Sequence, residues 1–129
     1  MLSARMKLWI ERDGSSFFGD GRAALLEAID RTGSLSQAAR TMRMSYRTAW
    51  ENINQMETAF ARQLVVRQTG GSQGGGCTLT EGARALLAAY ARFREELEKS
   101  KETLFQVVID AIDEQGSELA EQTLPQKRP

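Results

Sequence analysis

The sequence predicts a mainly α fold carrying a small β-hairpin, and three features of the chain predict it. Helix-start residues and apolar positions at a 3.6-residue period recur between residues 20 and 60. Two short strand-like runs, Leu64-Val65-Val66-Arg67 and Cys77-Thr78-Leu79, flank a glycine-rich stretch from Thr69 to Gly76. An apolar seam with a 3.5-residue period then runs from Leu86 to Ala111.

Taken in order, Lys7-Leu8-Trp9-Ile10-Glu11-Arg12 has strand character, and Asp13-Gly14-Ser15-Ser16 follows as turn or loop chemistry. Phe17 and Phe18 are expected to plug the core before a helix that begins near Asp20. Leu25, Leu26 and Ile29 form that helix's inner face, and Gly33 suits its end. Ser34 with Gln37 three residues later is a capping box, each side chain satisfying an orphan backbone N–H. The small pair Ala38-Ala39 lets two helix backbones approach closely, and this second helix should end near Met42. Ser45 opens a third helix, whose inner positions Ala49, Ile53, Met56 and Phe60 are spaced four, three and four. Tyr46, Arg47, Thr48, Glu51 and Asn52 are left outside at its beginning. Thr80 can cap a long last helix. Strand, three helices, hairpin and helix describe a winged helix-turn-helix with a long C-terminal helix.

In the last helix Leu86, Tyr90, Phe93, Leu97, Ser100, Leu104, Val107 and Ala111 alternate spacings of four and three without a slip. That pattern is a coiled-coil seam. Glu95 and Lys99 add a stabilising i,i+4 pair worth about 0.3–0.5 kcal/mol. The helix either packs on its own domain or pairs with a second copy. The seam's length favours dimerisation, through Leu86, Tyr90, Phe93, Leu97 and Leu104. The expected organisation is a DNA-binding domain over 1–79, a dimerisation helix over 80–115, and a polar, flexible tail over 116–129.

Composition excludes several classes. The chain has 129 residues, no histidine and one cysteine, Cys77. A structural zinc site, a histidine-based catalytic site and an internal disulfide are therefore not expected, nor is any cofactor. No carboxylates form a convincing acid/base pair, so no catalytic residue is assigned and no enzyme is expected. No apolar run reaches the roughly 18 residues of a membrane span, and the start MLSARMKLW lacks signal-peptide character. A cytoplasmic address follows. Net charge is zero. Residues 1–79 nevertheless hold 10 Lys+Arg against 7 Asp+Glu, and residues 80–129 the reverse, 7 against 10. Local positive charge matters for phosphate contact, so this mild asymmetry supports a nucleic-acid partner only weakly.

The third helix carries the candidate contacts to double-stranded DNA. Arg47, in its first turn, can reach guanine O6 and N7 or clamp a phosphate. Tyr46 and Thr48 can meet phosphate or a thymine methyl, or Tyr46 can instead stack on Trp50. Trp50 lies one step off the apolar stripe, either packed on the hairpin or turning its indole N–H to DNA. Glu51 faces the same side. Ser36 and Ser45, near helix starts, can offer hydroxyls to phosphate. The glycine run lacks the Gly-Lys-Ser/Thr ending of a phosphate loop and links two strands, so a wing tip explains it better. Arg67, Gly71, Gln73 and Gly74 are its candidate contacts, with a structural salt bridge the alternative for Arg67. Cys77 reads as a small strand residue.

As a whole the sequence resembles the N-terminal DNA-binding domain of ModE-type molybdate-responsive transcription regulators, with a more distant likeness to LysR-type regulators. The matching stretches are Gly33-Ser34-Leu35-Ser36-Gln37-Ala38-Ala39, then Met44-Ser45-Tyr46-Arg47-Thr48-Ala49-Trp50-Glu51 with Ile53-Asn54 and Met56. The wing Thr69-Gly70-Gly71 with Gly74-Gly75-Gly76 and the helix start Leu79-Thr80 complete the match, which covers roughly residues 5 to 105. Arg43 departs from the glycine that many helix-turn-helix turns carry. The resemblance implies a sequence-specific, homodimeric transcription regulator, with target genes in molybdenum or oxyanion handling. Family members sense molybdate in C-terminal domains, and residues 106–129 resemble none, so a separate oxyanion-sensing protein is a possible partner. The alternative is a dimerisation or protein-interaction module with a winged-helix fold and no productive DNA binding.

Overall fold

Asp13 and Gly14 reverse the chain in two residues, both with positive φ (51° and 83°). This is the backbone that a tight hairpin of right-twisted strands demands. In the computed structural model, which describes residues 1–68 and 76–123 with side chains as far as 114, the turn joins β1 (Trp9–Arg12) to β2 (Ser15–Gly19). The two pair antiparallel, with a register irregularity between Ile10 and Glu11. Ser15 and Ser16, expected as loop, and Phe17 and Phe18, expected as a core plug, instead lie in a second strand. Phe17 and Phe18 do enter the core from it, as expected.

α1 (Asp20–Thr32) buries Ala23, Leu25, Leu26, Ala28 and Ile29 and ends on Gly33 in the left-handed region. α2 (Leu35–Thr41) starts at Ser34, whose Oγ accepts from the Gln37 N–H. The reciprocal half of the predicted capping box is absent, because the Ser34 N–H donates to Thr32 Oγ1 at 3.3 Å. α3 (Tyr46–Phe60) is capped by Ser45 and turns Ala49, Ile53 and Met56 fully inward. β3 (Val65–Gln68) and β4 (Gly76–Leu79) form the second antiparallel hairpin. Thr80 Oγ1 accepts from the Ala83 N–H and starts α4 (Glu81–Thr123), which passes Gly116 where a flexible tail was expected.

Two compact units are distinguished, residues 7–92 and residues 1–6 with 93–129. The expected boundary at 79/80 falls inside the first unit, because the beginning of α4 completes its core. Ala83 and Tyr90 are buried there, and Leu86 and Leu87 pack against the same cluster. The Tyr90 ring meets Phe18 edge to face at 4.9 Å, and its hydroxyl donates to Asp20 Oδ1 at 2.6 Å. Two of the five predicted dimer-seam residues, Leu86 and Tyr90, are thus committed to their own domain. A period of 3.5 marks an apolar face but not what covers it.

In the second unit Lys101 Nζ donates to Ala4 O at 2.9 Å and to Glu98 at 2.8 Å. Phe93, Leu104, Val107, Val108 and Ile112 are exposed, with Leu104 at 66%. No helix among the described residues is long and apolar enough to cross a membrane.

The Tyr90 hydroxyl bond to a carboxylate should stabilise by about 1.5 kcal/mol. Tyr90→Phe is expected to lower the urea midpoint accordingly without changing the molecule's mass in solution. An unchanged midpoint would show that the hydroxyl bond to Asp20 adds nothing to stability.

Candidate nucleic-acid interface

The start of α3 presents the predicted residues together. Ser45 Oγ accepts from the Thr48 N–H at 3.0 Å and donates to Thr48 Oγ1 at 2.9 Å, so one hydroxyl closes the first turn. Before it, Arg43 sits at φ 57°, the left-handed conformation that its side chain disfavours and the tight turn requires. Met44 N then bonds back to Ala39 O at 3.0 Å, which fixes α2 against the entry to α3.

Arg47 is 90% exposed and holds Glu51 at 3.3 Å, an i,i+4 pair in water. Such a pair contributes only about 0.3–0.5 kcal/mol. It can therefore open for a better partner. Thr48 and Ser36 are also exposed. Asn52 is not available in the same way: it is half-buried, accepts from Arg22 at 3.1 Å and contacts Met44 Sδ at 3.7 Å. Arg22 also donates to Phe17 O at 2.8 Å and to Gln55, and burial lowers its pKa. Arg22 thus ties β2 and α1 to the flank of α3.

Tyr46 and Trp50 meet edge to face at 6.5 Å, so stacking, one of the two readings for Tyr46, does occur. Tyr46 remains 46% exposed, and Trp50 is half-buried. Arg67 reaches across from β3, its guanidinium 4.2 Å above the Trp50 ring and bonded to Tyr46 Oη at 2.8 Å. No salt bridge to Arg67 occurs among the described residues; its partners are aromatic. Gly71, Gln73 and Gly74 lie outside the described residues.

The base of the hairpin is anchored by half-buried polar contacts. Glu57 Oε2 accepts from the Leu64 and Val65 N–H groups, and the Cys77 N–H donates to Gly33 O at 3.0 Å. The Cys77 thiol is buried and its pKa is raised, first by desolvation, with Arg67 opposing and Glu57 adding to the rise. It is a packed strand residue with little thiolate to react.

Arg40 and Arg43 are exposed beside Arg47 and were not among the predicted contacts. Residues 33–50 carry these three arginines and no carboxylate. A local charge count over that window would have found them. Among the described residues no group of three or more His, Cys, Asp or Glu side chains could hold a metal ion.

Replacing Arg43 by glycine separates the two demands on that residue. Arg43→Gly is expected to raise stability by up to about 1 kcal/mol by relieving the left-handed backbone, while DNA affinity falls. Calorimetry and a binding titration on the same preparation check the opposite signs.

The comparisons agree with this geometry. Residues 22–84 match the model of the bacterial regulatory helix-turn-helix protein, lysR family. The molybdenum transport protein ModE of Azotobacter vinelandii is 37% identical over 116 residues, covering 90% of this chain and 39% of its own. The molybdenum-pterin-binding protein MopB of Rhodobacter capsulatus is 44% identical over 81 residues, covering 63% of this chain and 30% of its own. The transcriptional regulator ModE of Haemophilus influenzae is 34% identical over 110 residues, covering 85% and 42%. This chain thus spans well under half the length of these relatives. Residues 22–84 thus adopt a winged helix-turn-helix that matches the DNA-binding helix-turn-helix of the lysR family of bacterial regulators, within a chain that is similar to ModE regulators over most of its length.

Proposed function

We propose that the chain is a sequence-specific transcription regulator that binds double-stranded DNA as a homodimer, with α3 in the major groove. One observation carries the reading: Ala49, Ile53 and Met56 are wholly buried while Arg47 and its neighbours Tyr46 and Thr48 are exposed. Arg47 reads a guanine edge once Glu51 releases it, and Arg40 and Arg43 contact phosphates on either side of the helix entry. The names of the relatives suggest target genes concerned with molybdenum. Regulation, not catalysis, is the activity this reading assigns.

Dimerisation uses Phe93, Leu97, Leu104 and Val107, the part of the seam outside the winged domain's own core. Two copies would place their reading helices on half-sites about 34 Å apart. The neutral net charge favours a second reading, a protein-interaction module that has lost DNA contact. Salt separates the two, since a DNA binder weakens steeply as salt rises through lost counterion release.

Arg47→Ala is expected to weaken binding to a selected operator by about 1–3 kcal/mol and to relax the preference at one base position. Binding-site selection with both proteins reads this directly, and an unaltered preference would count against the docking. Leu104→Glu should leave the fold intact and convert the dimer to a monomer in sedimentation equilibrium. A wild-type monomer at high micromolar concentration would remove the dimer.

A further inference from the structure

Tyr46 opens α3 and Trp50 stands one turn on, with Arg67 of β3 bridging them. A phenol oxygen can accept through its lone pairs and has a single hydrogen to donate. Arg67 occupies the accepting side at 2.8 Å, which leaves the O–H hydrogen for another acceptor. A cationic donor on that oxygen also polarises the O–H bond and strengthens what it gives. The guanidinium is held in place on two sides: Trp50 covers one face at 4.2 Å and Tyr46 takes one of its N–H groups. Tyr46 is exposed beside Arg47 and Thr48, in the first turn of a 15-residue helix, where an anion is favoured.

Resting on the reading of α3 as the DNA-contacting helix, we propose that Arg67 is a positioning residue that holds the Tyr46 hydroxyl to donate to a backbone phosphate of the bound duplex. Arg67 acts through Tyr46 and does not neutralise a phosphate itself. One phosphate contact is thereby shared by the helix and the wing strand, and it is complete only when the two are in register.

The test is a salt titration of operator binding by the whole chain, comparing wild type with Tyr46→Phe, Arg67→Gln, Arg67→Lys and the double variant Tyr46→Phe/Arg67→Gln. Tyr46→Phe should bind about tenfold more weakly with an unchanged salt slope, because the lost donor carries no charge. Arg67→Gln should match it, and the double variant should be no weaker than either single. If Arg67 contacts a phosphate directly, Arg67→Gln lowers the slope by about one unit, Arg67→Lys restores it, and the losses add. That result overturns the proposal, as does full affinity in Tyr46→Phe, which removes only a surface hydroxyl and keeps the fold. Failure of folded wild-type protein to retain any selected duplex would instead overturn the DNA reading beneath it.

Discussion

Burial of one side of α3 constrains everything placed on its other side. Ile53 and Met56 are wholly enclosed, and each such side chain is worth about 1.5–3 kcal/mol relative to exposure. Rotating the helix by one residue would surrender that burial and drive Arg47 toward an apolar interior, where a bare charge is costly. The surface pairs that Arg47 makes are an order of magnitude too weak to decide its direction. The outward presentation of Tyr46, Arg47 and Thr48 is therefore a consequence of the core. Ala38 and Ala39 on α2 and Ala49 on α3 are buried, and these helices pack together. A larger side chain there would push α3 out of place.

The hairpin behind α3 is held by backbone groups that have found definite partners. A helix-borne carboxylate, Glu57, receives the first two N–H groups of the approach to β3. β4 is hydrogen-bonded to Gly33, at the joint between α1 and α2. Thr80 closes the base by donating to Gln63 O while its own N–H reaches Leu64 O. With the base fixed at these points, Arg67 can project only a few residues from anchored backbone. Its stack on Trp50 is thereby an expected product of the topology.

Much of this was legible in the chain because helix signals are local. Ser45, Gly33 and Thr80 sit at the ends of helices, and the 49, 53, 56 spacing names the buried face. β2 escaped notice because Ser15-Ser16-Phe17-Phe18 breaks apolar alternation, although Asp13-Gly14 is the residue pair a two-residue hairpin needs. Seam positions could be read, but their covering could not. Tyr90 belongs to the core through Phe18 and Asp20, which lie about seventy residues earlier in the chain. The same holds for Arg22, whose partners on α3 are 30 and 33 residues distant, and for Arg67, 21 residues from Tyr46. Contacts of that range leave no periodic trace.

Zero net charge removes long-range attraction to DNA but leaves local phosphate contact open in such a molecule. Exposed charges farther apart than about 8 Å are largely screened at physiological salt. A bound backbone therefore senses the nearest few side chains more than the total. Around the turn those are Arg40, Arg43 and Arg47, with Glu51 the acidic neighbour one helical turn on. Glu51 has a use in that position. Its pair with Arg47 is exposed and weak enough to open, and on the proposed docking its charge would be repelled by phosphate. A register in which Glu51 met the backbone would then be penalised, while one that turned it toward a cytosine amino group would be tolerated. On the proposed docking, one acidic side chain beside Arg47 therefore weighs more on the register of a duplex than the total charge of the chain does.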